Sequence, residues 1–175
     1  HSAYDLPLEL CAEIAAAARD LDALLHIHVC ETQDEGSELE SAHEGRSTVQ
    51  LLAEHDILDG RVLAAHSVWL SDADIEMYAQ HEVSVAHCPV SNMKLGSGVA
   101  RVHAMRARGI EVGLATDGPA SNDDLDLWQE IKFAPLLARV SALDASAMSP
   151  QDALRMATVE GARAIGNFDV GSLEK

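Results

Sequence analysis

Cysteines, aromatic rings, basic side chains and long apolar runs are all scarce in this 175-residue chain. Each shortage closes off a class of protein. Cys11, Cys30 and Cys88 are odd in number, widely spaced and form no C-x-x-C pair, so reduced and mostly buried thiols are expected rather than a disulfide framework or zinc knuckle. With 2 Phe, 2 Tyr and 2 Trp there is no base-stacking surface for single strands. The 12 basic residues face 29 acidic ones, and the resulting charge of -17 repels phosphate backbones and anionic lipid. Neither nucleic acid nor a membrane surface is therefore an expected partner. No apolar stretch reaches the roughly 18 to 20 residues that span a bilayer. The chain start also lacks the basic and apolar segments of a signal peptide, which makes the cytoplasm the default expectation. Several catalytic signatures are missing too: H-E-x-x-H, G-x-S-x-G, G-x-x-x-x-G-K and P-C-x-x-C. Gly96-Ser97-Gly98 is too short for a dinucleotide fingerprint.

What is present is 47% apolar residues, enough for a real core in one domain. Four short apolar runs each stop on or beside a group that can bind metal or move a proton. Leu24 to Cys30 leads into Glu31, Val62 to Ala65 ends at His66, Val83 to Ala86 ends at His87, and Val112 to Thr116 ends at Asp117. Parallel-sheet enzymes read this way because their sites lie beyond the carboxyl ends of the strands. Helical patterns at Pro7 to Arg19, Glu44 to His55, Asp72 to Gln80 and Pro150 to about Ile165 separate the runs, with Ser71 and Ser149 as caps and Gly166 as a stop. Strand and helix alternate, which predicts a parallel α/β sheet, open or closed. A full (β/α)8 barrel takes about 250 residues. Four strands therefore predict half of one, from a chain more than twice as long.

Each strand-end residue has a structural and a chemical reading. His26 and His28 share one face of an extended strand, and Glu31 falls just past its end, where a carboxylate can reach over a barrel mouth. A buried, backbone-bonded imidazole is the expectation for His26. For His28 that role and ligation stand level until its neighbours tip it toward metal. Asp117 sits in an Asp-Gly turn that would ordinarily cap the next helix; Ser121, Asn122 and Asp123 are expected to supply that cap and free Asp117 for metal or its water. For His87 and the Ser91-Asn92-Met93-Lys94 segment, a loop that supports the site is at least as strong a reading as direct ligation.

Together, His28-Val-Cys-Glu31-Thr32, Leu63-Ala-Ala-His66-Ser-Val-Trp-Leu70, Val85-Ala-His87-Cys-Pro-Val-Ser-Asn92-Met-Lys-Leu95 and Ala115-Thr-Asp117-Gly-Pro-Ala-Ser-Asn122-Asp-Asp-Leu-Asp126 resemble the amidohydrolase superfamily, in its chlorohydrolase and aminohydrolase branch. Within that branch the region of Trp69, Asn122 to Asp126 and Lys132 to Arg139 looks most like the 5'-methylthioadenosine and S-adenosylhomocysteine deaminases. The resemblance implies a TIM-type metal-dependent hydrolase barrel of which strands five to eight are present. Residues 1–175 would be its second half, with 167–175 starting the return to a β-sandwich domain outside the chain. It implies one divalent ion, zinc first, held by His28 and Asp117, with Glu31 as proton shuttle and His66 hydrogen-bonding the attacking hydroxide. His1 and Glu31 would touch a purine-type substrate, while His87, Asn92 and Ser121 would hold the site from behind. The family's His-x-His pair on strand one is missing, since His26-Ile27-His28 matches strand five. The activity implied is hydrolytic deamination of an aminopurine nucleoside. Guanine or 8-oxoguanine deamination, s-triazine dechlorination or deamination, and an inactive fragment or metal-free scaffold are the alternatives, and self-association is left open.

Overall fold

Apolar residues at alternating positions let four segments lie side by side. β1 (Leu25–Val29), β2 (Val62–His66), β3 (Ser84–His87) and β4 (Val112–Leu114) form one sheet in the order β1-β2-β3-β4, every pair parallel. Residues 2–173 are described in the computed structural model; His1, and Glu174 and Lys175 of the 167–175 segment, lie outside the described residues. Each strand neighbours the one before it in sequence. A doubly wound sheet reverses its order at a switch point, whereas a barrel does not. The chain is therefore an arc of a (β/α)8-type barrel.

The pleat sorts side chains onto two faces. Ile27, Val29, Val62, Ala64, Val85 and Val112 enter the main core under the helices, while Leu63, Ala65 and Ala86 form a second apolar cluster on the other face. By the register His26↔Leu63, His28↔Ala65, Ala65↔Ala86 and Ala86↔Gly113, this second face also carries His26, His28 and Gly113.

The outer layer holds α1 (Leu8–Asp20), α2 (Gln33–Ala42), α3 (Thr48–Glu54), α4 (Asp72–Gln80), α5 (Pro89–Lys94), α6 (Val102–Ala107), α7 (Leu127–Ala142) and α8 (Pro150–Met156). α9 (Val159–Ala164) instead reaches the inner face, where Ala164 joins the second cluster. A Cβ on Gly113 would stand 2.9 Å from the Gly161 Cα, so only glycine lets this helix lie against β4.

The structure revises several expected boundaries. The helix expected from Glu44 begins at Thr48, because Glu44 and Gly45 take left-handed φ angles of 60° and 80° and Ser47 then forms a capping box with Gln50. The single helix expected from Pro150 breaks at Thr158, whose φ of -128° and ψ of -103° are not helical. Residues 89–94, read as loop, form α5 with Pro89 in its first turn. Among the described residues no helix is long and apolar enough to cross a membrane, and Cys11, Cys30 and Cys88 are free and buried.

Candidate active site

β1 delivers His28 to the inner face, and the chain then bends sharply: Cys30 has φ 51°, which turns Glu31 over the strand end. Thr32 caps α2 by accepting from the Glu35 N–H. Buried Glu35 reaches back, its two carboxylate oxygens accepting the N–H groups of Cys30 at 3.1 Å and Glu31 at 2.9 Å. Ser2 bridges to His28 in parallel on the free side of β1.

His66 ends β2 at a position the pleat would point outward with Val62 and Ala64. Its φ of 67°, followed by 50° at Ser67, swings the imidazole inward instead, where it stacks on His28 with ring centroids 5.3 Å apart and planes at 22°. Left-handed backbone at residues other than glycine is costly and concentrates at functional sites. The His66 Nδ1 lies 3.0 Å from Asn92 Oδ1, and Nε2 is 3.8 Å from Glu31 Oε2. With Nδ1–H donating to the amide oxygen, the Nε2 lone pair is the one presented to the site.

Asp117 follows β4, also left-handed at φ 61°. Its Oδ2 accepts from the hydroxyls of Ser91 at 2.8 Å and Ser121 at 2.5 Å. Burial opposes ionisation, yet hydrogen bonds from Ser121 and Ser91, with the Gly118 N–H and nearby His66, outweigh it and hold the carboxyl below its usual range. Burial, reinforced by His66, lowers the pKa of His28, which keeps that ring neutral with a lone pair to give.

One ligand atom from each of His28, His66 and Asp117 lies within 4.8 Å of the other two. A neutral imidazole at His28, a second imidazole nitrogen at His66 and an ionised carboxylate make a donor set that suits zinc and similar divalent ions. The residues present therefore fit part of such a site. A cavity of about 570 Å³ opens beside them, lined by His26, His28, Ala65, Ala86, Asp117 and Leu127 among others.

His87 is not brought to this cluster. It is buried at the end of β3, its Nδ1 has no hydrogen-bond partner among the described residues, and burial, aided by His66, pushes its pKa down to about 3. His26 is exposed on the cavity wall, not buried and backbone-bonded as expected. The cap of α7 is Asp126, which accepts from the Trp128 N–H. Ser121 and Asn122 turn back to Asp117, Thr116 and Glu130 instead, and Asp123 pairs with Lys94. His1 lies outside the described residues. Glu35 and Glu130 were not foreseen as parts of the site. Thr32-Gln33-Asp34-Glu35 does spell a capping-box pattern that could have shown the first, whereas Glu130 carries no local signal.

Residues 1–175 match the amidohydrolase family. The chain is 47% identical over 171 residues to a 5'-deoxyadenosine deaminase of Methanothermobacter thermautotrophicus, covering 98% of this chain and 40% of that one. It is 41% identical over 165 residues to a 5-methylthioadenosine/S-adenosylhomocysteine deaminase of Pyrococcus horikoshii, covering 94% of this chain and 39% of that one. A zinc-bound crystal structure of an adenosine deaminase from Xanthomonas campestris superposes with a TM-score of 0.94 at 36% identity, over 99% of this chain and 40% of the other. The chain thus spans about 40% of the length of these relatives.

Proposed function

Because this chain belongs to the amidohydrolase family, we propose that the whole protein hydrolytically deaminates adenosine-type nucleosides such as S-adenosylhomocysteine or 5'-methylthioadenosine. The observation that carries this reading is the cluster of His28, His66 and Asp117 with Glu31 against it, in a chain 41 to 47% identical to nucleoside deaminases. We assign His28 and Asp117 as holders of one divalent ion, zinc first, with the remaining ligands supplied from outside these residues.

When bound, such an ion supplies Lewis acidity that makes water ionisable near neutral pH. Asp117, ionised and gripped at Oδ2, offers Oδ1 to the proton of the attacking water. His66, fixed by Asn92, faces the same oxygen with Nε2, whose lone pair accepts a hydrogen bond from the attacking water and orients it. Of the water's two protons, Glu31 passes one to the ring nitrogen beside the amine-bearing carbon and the other to the amine, which leaves as ammonia while the carbon becomes a carbonyl. Balanced over the cycle, one water enters and one ammonia leaves.

Asp117→Asn and Glu31→Gln in the whole protein are each expected to lower turnover by about 10² to 10⁴ fold, the usual span for loss of a proton-transfer group, with the thermal midpoint unchanged. Near-normal turnover in either variant overturns the assignment. Ammonia release across nucleoside, purine and s-triazine substrates tests the substrate class: a preference for guanine or a triazine overturns it. Elemental analysis should find one divalent ion per chain.

A further inference from the structure

We propose that Glu130, on α7, is a positioning residue that sets the aim of Asp117 and His66 through two segments of chain it holds together. The proposal rests on the reading of Asp117 as proton acceptor given above. Glu130 is fully buried and touches none of the reacting groups. Its Oε2 accepts the Val90 N–H at 3.0 Å, and its Oε1 accepts from Asn122 Nδ2 at 2.6 Å.

Val90 lies in α5 and Asn122 in the turn after Asp117. Each is next to a serine, Ser91 and Ser121, and both serine hydroxyls donate to the same oxygen, Asp117 Oδ2. One carboxylate thus fixes the separation of two hydroxyls, and the two hydroxyls fix the carboxylate of Asp117. α5 also carries Asn92, whose amide oxygen holds His66 Nδ1. Through α5 the same anchor reaches the imidazole. Burial raises the carboxyl pKa of Glu130 against the help of its two donors, so the core holds an ionisable group whose charged form it disfavours. Such placement is expected where geometry, rather than stability, is served.

The test is steady-state kinetics of the whole protein with 5'-methylthioadenosine. Glu130→Gln leaves an N–H facing an N–H on one side and lets the two segments part. A shift of about 1 Å at reacting groups can cost roughly a hundredfold in rate, so kcat should fall at least about tenfold while KM stays within about twofold. In a Ser91→Ala/Ser121→Ala background the same change should cost clearly less kcat, only the part carried through Asn92 to His66, because the route to Asp117 is already cut. Unchanged kcat for Glu130→Gln, or an equal fold-loss in both backgrounds, overturns the proposal. If Glu130→Gln gives no folded protein, Glu130→Asp, too short to reach both donors, carries the same comparison. Asp117→Asn is run alongside: if it stays active, the underlying reading fails; if it is inactive while Glu130→Gln behaves as wild type, only the positioning role fails.

Discussion

At His66 the backbone overrides the side-chain pattern. Strict alternation would bury the ring beneath the helices with Val62 and Ala64, and one left-handed residue turns it to the opposite face against His28. His87, one strand over, has no such bend and stays where the pleat puts it. That ring gives a pH prediction. Its folded pKa of about 3 is depressed from 6.5 by burial and by His66, so between those values the unfolded chain binds the proton and the folded one does not. The slope of unfolding free energy against pH is then positive: the contribution is complete above about 6.5 and drains away as pH falls toward 3. His87→Leu should flatten this slope in urea titrations of the whole protein, and an unaltered slope would refute the assignment. The candidate ligands could be proposed because strand ends were legible: His66 and Asp117 close apolar runs, and His28 lies just before the end of another. Of their supports, Asn92 and Ser121 were expected from the resemblance and Ser91 lay in the segment read as support, whereas Glu35 and Glu130 were not foreseen. Ser91 meets Asp117 across 26 positions and Glu130 meets Val90 across 40, and nothing local marks either end of a bond formed only by folding.

Among the elements, α3 and α4 share one carboxylate. Asp74 accepts the Ser71 N–H and hydroxyl within its own capping box, and its other oxygen accepts the hydroxyl of Ser47, the cap of α3. Removing it unties two helix starts in a buried place. Asp74→Ala should therefore cost about 2 kcal/mol in guanidinium unfolding, roughly two cap contributions, and Asp74→Asn about half that. A loss no larger than one cap would show that the helices are held independently. Caps of this kind made α4 and the start of α8 readable in advance. α2 was missed because its Gln-Asp-Glu-Gly-Ser-Glu stretch offers almost no apolar period; it forms on its Thr32 cap and the burial of Glu35. α7 was obscured by Pro135, which reads as a breaker yet lies buried inside the helix.

On the scale of the whole molecule, the inner face presents three candidate donors and a wall of small apolar residues to a space that these four strands only half surround. Residues 1–175 expressed alone should show no deamination. They should also bind zinc more than about 100-fold more weakly than the whole protein, beyond the loss that follows removal of a mere supporting residue. Competition with a chromogenic chelator measures this, and equal affinity would show that the site is complete here. The strand order has a consequence for how such a molecule is made. Because β2 pairs with β1, β3 with β2 and β4 with β3, each new strand finds its partner in the segment synthesised just before it. No strand has to wait for a distant edge to emerge from the ribosome, so the sheet can be laid down in step with translation. His28 is then placed first, His66 second and Asp117 last, and the candidate donor cluster comes into being only when the final strand has docked.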